Sequence, residues 1–318
     1  MHLRKTLAAV ALAAAATLAL VPAAPAVAQE VVQDEGAAYR AWHDASQAGD
    51  NAKAMAAAKA YMEQYPTGQY ADFIKKWYGT AQMTALDAAI KEKRTADMIA
   101  VGRDILATDP ENLNVLYALA FNIRRNELFA APQNFTNAPA AVEFSKKAIG
   151  LVESGKTLTG VQSFDKNATL AWMTQILAVN EGKNGSAEEA IKLYEKSTSL
   201  APEDPSVAAR NLLAVVSLRQ AKYTELAKAY NALPAEDRAA AEPKPEVKAA
   251  KDALNAEADA LIDAGASFVA FGKAKNLPAA TVDRVNQMLQ TVYKGRFPED
   301  ATLDGLNKIL AGKGVPTP

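Results

Sequence analysis

The chain has 318 residues, half of them hydrophobic, and balances 35 basic side chains against 36 acidic ones. That balance excludes a phosphate-backbone binder driven by net positive surface. With no cysteine and only two histidines, His2 and His43, it also excludes disulfides, thiol nucleophiles, thiolate or histidine-rich metal centres and His–Cys catalysis.

The first elements are a targeting segment. Arg4 and Lys5 precede an unbroken run of Leu, Ala, Val and Thr over residues 7–20, and Ala26-Val27-Ala28 is a small-residue cleavage site. This pattern predicts a signal peptide over residues 1–28, with an exported chain beginning at Gln29 in the periplasm or outside the cell. The run is short and rich in alanine, whereas a spanning helix needs ~20 strongly apolar residues. No stable membrane anchor is expected. Removing Arg4 and Lys5 leaves 33 basic against 36 acidic residues, a net charge of −3.

Beyond the leader, helical spacing and helix-end residues recur, and strand-like alternation does not. An all-α fold follows. Gly49-Asp50 makes a turn, residues 52–65 a helix, and Pro66 ends it. Residues 69–93 form one long helical stretch. Thr95 caps a helix to residue 107, followed by a turn at 109–112. Residues 113–126 and 140–152 form a helix pair, with long loops at 129–138 and 155–166. A helix at 168–180 precedes one starting after Ser186, where Glu189 completes a capping box. Residues 207–221 and 224–233 are expected as a further pair. Pro243 and Pro245 then make a stiff break. The domain division is therefore a helical-repeat domain over 29–240 and a C-terminal helical block over 241–318. That block holds helices at 247–275, 278–293 and 300–311 and a frayed tail, Pro316-Thr317-Pro318.

Residues 186–205 resemble the tetratricopeptide-repeat family. The residues that carry the likeness are Gly185 at the tight turn, Ala190 and Tyr194 on the second helix, Ser197 as a second small residue, and Pro202 at the inter-repeat turn. Trp172 and Ile176 match the first helix if the turn at 181–185 carries a short insertion. Tyr65-Pro66-Thr67-Gly68-Gln69-Tyr70-Ala71 is similar to divergent repeats of bacterial cell-envelope proteins. The resemblance implies a right-handed solenoid of helical hairpins, with the C-terminal block as its cap. It further implies a protein or peptide partner held on the inner face of the first helices. Counting along those helices places Tyr39, His43, Gln47, Arg124 and Arg219 on that face.

Two patterns could suggest an enzyme instead. Gly150-Leu151-Val152-Glu153-Ser154-Gly155-Lys156-Thr157 fits the spacing of a phosphate-binding loop. Such a loop needs a preceding strand, but residues 141–148 have helical spacing, so Gly155 is expected to close a helix instead. Paired acids such as Glu188-Glu189, Glu203-Asp204 and Glu299-Asp300 sit at predicted helix starts, where the dipole favours negative charge. The expectation is a non-catalytic exported scaffold that uses no cofactor and no metal. It binds a protein or peptide of the cell envelope and no nucleic acid. An exported binder of a polymer or small solute is the alternative, and a carboxylate-based hydrolase the second alternative.

Overall fold

A computed structural model describes residues 34–160 and 163–315. The predicted signal peptide with its cleavage site, and the tail Pro316-Thr317-Pro318, lie outside the described residues. Among the described residues every regular element is a helix and there is no strand. None of these helices is long and apolar enough to cross a membrane. The chain divides into two compact units, Met1–Tyr78 and Gly79–Pro318.

The first unit contains α1 (Glu35–Gln47), α2 (Asn51–Gln64) and the start of α3 (Ala71–Lys91). Asp34 and Asp50 cap the first two, each accepting a backbone N–H with its side chain. Their shared core is Trp42, Ala54, Ala58, Tyr61 and Ile74. Tyr61 is fully buried, donates its hydroxyl to Glu35 and accepts from the Tyr70 N–H. It thereby joins the start of α1 to the turn before α3.

The second unit continues through the rest of α3. It contains α4 (Thr95–Thr108), α5 (Leu113–Ile123), a π-helical turn (Arg124–Leu128), α6 (Ala138–Glu153), α7 (Lys166–Lys183) and α8 (Ala187–Leu200). It ends with α9 (Pro205–Asn231), the short α10 (Ala235–Ala239), α11 (Pro245–Ala274), α12 (Ala279–Arg296) and α13 (Asp304–Gly312). Neighbours in sequence pack on one another from α4 to α9. The alternate helices also meet, α5 with α7 and α7 with α9. One core runs from Leu86 through Leu116, Phe144 and Met173 to Tyr194. A second joins Val216 of α9 to Leu261, Phe268, Leu289 and Leu306 of the last helices. Side chains on either side of residue 240 therefore share one core.

The α7–α8 hairpin follows from its residues. Gly185 has φ +87°, and the N–H groups of Gly185 and Ser186 return to the carbonyls of Gly182 and Glu181. This is a left-handed helix end that glycine adopts without steric cost. Ala190 and Ser197 are fully buried, and Ser197 Oγ donates to the Ala171 carbonyl at 2.8 Å. Small side chains at these two places let α8 approach α7 closely, while Tyr194 fills the space between them.

Several expected boundaries change. The capping box at Ser186 and Glu189 is not made, since Ser186 takes the cap position without a side-chain hydrogen bond. Arg94, not Thr95, occupies the cap of α4. The pair expected at 207–221 and 224–233 is a single helix, α9. Gln220-Ala221-Lys222-Tyr223 contains no Gly or Pro to break it, and the 30-residue α11 packs along it. Pro245 does not block a helix but starts one, because its missing N–H would be unpaired there in any case. The segment matching a phosphate loop is the end of α6. Gly155 has φ +98°, and the N–H groups of Gly155 and Lys156 cap the carbonyls of Val152 and Leu151. Lys156 pairs with Glu111 at 2.6 Å.

Candidate functional site: an arginine–aromatic cluster on α5, α7 and α9

The functional candidate is built around Arg124. It stands where α5 widens into the π-helical turn, a distortion that is frequent at functional sites. Its residue exposure is only 7%. Its Nε donates to Gln175 Oε1 at 2.8 Å and its Nη2 donates to the same oxygen. Gln175, fully buried on α7, donates from Nε2 to Asn211 Oδ1 at 2.6 Å. Asn211 on α9, also fully buried, donates to Ser197 Oγ at 2.9 Å and to the Tyr194 carbonyl at 3.3 Å. A buried relay thus runs from α8 through α9 and α7 to Arg124, and each member fixes the next.

Aromatic rings surround the guanidinium. Its Cζ lies 4.9 Å from the Phe129 ring centroid and 5.8 Å from that of Phe121. Arg210, exposed on α9, lies over the same Phe129 ring at 5.3 Å. Phe121 stacks on Tyr117 at 5.5 Å and meets Trp172 of α7 at 5.1 Å. Trp172 Nε1 is buried and has no hydrogen-bond partner among the described residues. Burial, reinforced by the nearby Arg210 cation, pulls the Arg124 guanidinium down to about 10, against the opposing pull of Tyr117 and Asp204. Burial pushes the Tyr117 phenol up to about 12. A desolvated cation with a neutral acceptor, a second cation and an apolar strip can hold an anion joined to an apolar body.

The five residues expected on a binding face divide between the two units. Tyr39, His43 and Gln47 belong to the first unit. Tyr39 is half-buried and stacks on Tyr70 at 4.0 Å, while His43 and Gln47 are exposed on α1. Arg124 belongs to the cluster above, but as a buried centre and not as an open surface contact. Arg219 sits in an ion-pair network. Its side chain is 18% exposed and pairs with Glu257 of α11 at 3.4 Å and Glu195 of α8 at 3.7 Å. Glu257, nearly fully buried, also takes Lys222 at 3.0 Å. A buried carboxylate needs these cations, so Arg219 is committed to joining α8, α9 and α11. Beside this network, Ser186, Glu188, Leu218, Lys222 and Leu226 line an open groove of about 860 Å³.

Sequence reasoning missed Tyr117, Phe121, Phe129, Gln175 and Arg210. A partial signal existed, since Tyr117 and Phe121 are four apart on α5, and Trp172 and Gln175 three apart on α7. Neither the models of known protein families nor the curated proteins match this chain. Among the described residues no group of three His, Asp or Glu side chains is placed to hold a metal ion.

Proposed function

We propose that this protein is an exported, non-catalytic adaptor of the tetratricopeptide-repeat type. Its helical hairpins form a right-handed solenoid and bind a protein or peptide of the cell envelope through the inner helices α5, α7 and α9. The observation that carries this reading is the meeting of those alternate helices around one arginine–aromatic cluster. In a stack of hairpins the first helices line up in this way and present a continuous surface to a partner. The buried Ala190, Tyr194 and Ser197 support the repeat-type packing of α7 on α8. Export rests on the predicted leader over residues 1–28.

Site-specific photo-crosslinking tests the proposal. A crosslinking residue replaces Phe121 on α5 or Lys196, exposed on α8, and the protein is exposed to an envelope extract of its native host. A discrete adduct is expected at position 121 and none at 196. Adducts confined to position 196 would move binding to the second helices and overturn the proposal.

A further inference from the structure

We propose a second binding site, on the first unit, where a strip of aromatic rings takes a neutral oligosaccharide. It shares no residue with α5, α7 and α9, and the inference does not depend on the reading of that face.

Aromatic residues meet there from three places: Tyr39, Trp42 and His43 on α1, Tyr70 in the turn before α3, and Phe73 and Trp77 at the start of α3. Tyr39 stacks on Tyr70 at 4.0 Å between ring centroids and lies 5.4 Å from Trp42 and 6.0 Å from His43. Trp42 in turn meets Phe73 at 5.5 Å and Trp77 at 5.4 Å, both edge to face. Trp42 is buried and forms the hub of the strip. The rings around it stay open to solvent. Tyr39, Tyr70 and Trp77 are half-buried and His43 is exposed. Phe73, at 56%, is the most exposed large hydrophobic residue among those described. A core role accounts for Trp42, but folding gains little from a phenyl ring left in water.

Size and charge select the occupant. A Phe side chain offers ~150–250 Å², so the open part of Phe73 is roughly 100 Å². Even with its half-buried neighbours, the strip falls well short of the ~800 Å² that each partner gives to a stable protein interface. A pyranose ring matches it better. Its axial C–H bonds form a flat apolar face that stacks on the negative face of an aromatic ring. The strip is longer than one sugar ring, which favours a chain of them. Hydroxyl groups at the rim of a sugar need side chains that both donate and accept. His43 and Gln47 follow Tyr39 along one side of α1 at steps of four, and Gln69 precedes Tyr70; all three are exposed. The Gln47 and Gln69 amides have no hydrogen-bond partner among the described residues. An amide and a neutral imidazole each supply a donor and an acceptor. The charged side chains of the two helices are of mixed sign, Arg40 with Asp34, Asp44 beside His43, and Asp72 with Lys75 and Lys76 nearby in sequence, so nothing selects an ion. Packing on Trp42 holds the rings in place before the ligand arrives, which lowers the cost of ordering them on association.

Titration of the full exported chain with cellotetraose, maltotetraose and tetra-N-acetylchitotetraose tests this through the nuclear magnetic resonance signals of the Phe73 ring and the Trp77 Nε1–H. Sorbitol, a polyol without a ring face, is the control. At least one of the three oligosaccharides should shift both signals saturably, and sorbitol at the same concentration should shift neither. Phe73→Ala, a change at an exposed position, should weaken that binding ~10-fold or more without altering the fold. Phe73→Leu, which keeps apolar area but has no ring, should weaken it nearly as much, and Phe73→Trp should retain it. Binding as tight in Phe73→Leu as in the parent would overturn stacking as its basis. No saturable shift from any of the three would overturn the site itself. Self-association of the parent that Phe73→Ala abolishes would also overturn it, by giving the strip to a second copy of this chain. Crosslinking at position 121 reads the face on α5, α7 and α9 separately, so either proposal can fail while the other stands.

Discussion

Arg124 and Gln175, 51 positions apart, share a two-pronged hydrogen bond in which one side-chain oxygen receives two guanidinium N–H groups. The bond joins the π-helical turn to α7 inside the core. Removing the acceptor should therefore be costly. Gln175→Leu is expected to lower stability by about 3 kcal/mol, the scale for leaving a buried charge without its partner. Adding Arg124→Met to Gln175→Leu should recover much of that loss. Urea denaturation of both variants checks this, and a double variant no more stable than Gln175→Leu alone would sink the account.

Two glycines should respond in opposite directions. A Cβ at Gly102 on α4 would come within 2.6 Å of Leu119 on α5, so Gly102→Ala should destabilise by about 1–3 kcal/mol through overpacking. Gly150, within α6, has nothing within 4 Å of the same added atom. Gly150→Ala should stabilise by about 0.5–1 kcal/mol. A thermal melt of this variant, with and without ATP, also tests the phosphate-loop pattern. A gain in melting temperature with no nucleotide effect in either protein is expected. An ATP-dependent rise in the parent that is lost in Gly150→Ala would restore the loop reading.

The attachment of α13 should weaken in acid. Asp300 accepts from the Gly305 N–H at 2.8 Å, and also from the Tyr293 hydroxyl, Thr302 and the Asp304 N–H. The Gly305 bond foremost, with the others, holds its carboxyl down at about 2, below the ordinary 3.8. A carboxyl depressed in the folded state contributes stability that is complete above about 3.8 and is lost as pH falls towards about 2. The Leu306 methyl signals, which report α13 in the core, should shift across that window in an acid titration. Asp300→Asn should flatten the response, and an unchanged acid limb would refute the assignment.

Arg219→Gln should affect stability and not binding. Arg219 helps neutralise the buried Glu257, with Lys222 remaining as a second partner. A loss of about 1–3 kcal/mol is expected. At temperatures where the variant is folded, crosslinking from position 121 should be as efficient as in the parent. A selective loss of crosslinking at unchanged stability would return Arg219 to the partner-binding face.

Much of the local structure was legible in the residues themselves. Helical spacing and polar caps indicated a helical chain, and Gly155 and Gly185 marked helix ends because their positive φ favours glycine. Ala190, Ile191 and Tyr194 lay on one helical face by their spacing, and all three are buried. These are properties of neighbours within a few positions, where the period of 3.6 residues sets geometry directly.

Tertiary structure alone decided the rest. Near Lys222 the residues permit a helix without requiring one, and the continuity of α9 accompanies packing along α11. Arg124 reads as a surface cation, since charged residues are almost never fully buried unless paired. Its burial depends on Gln175 and Asn211, whose distance in sequence carries no periodic signal. The pairing of α5, α7 and α9 brings Arg124, Arg210 and Phe129 to one place. The sequence by itself determined helices and their apolar faces through short-range sterics and hydrogen bonding. Which side chains meet across those faces was settled by stacking, because the contact between two helices depends on both surfaces at once.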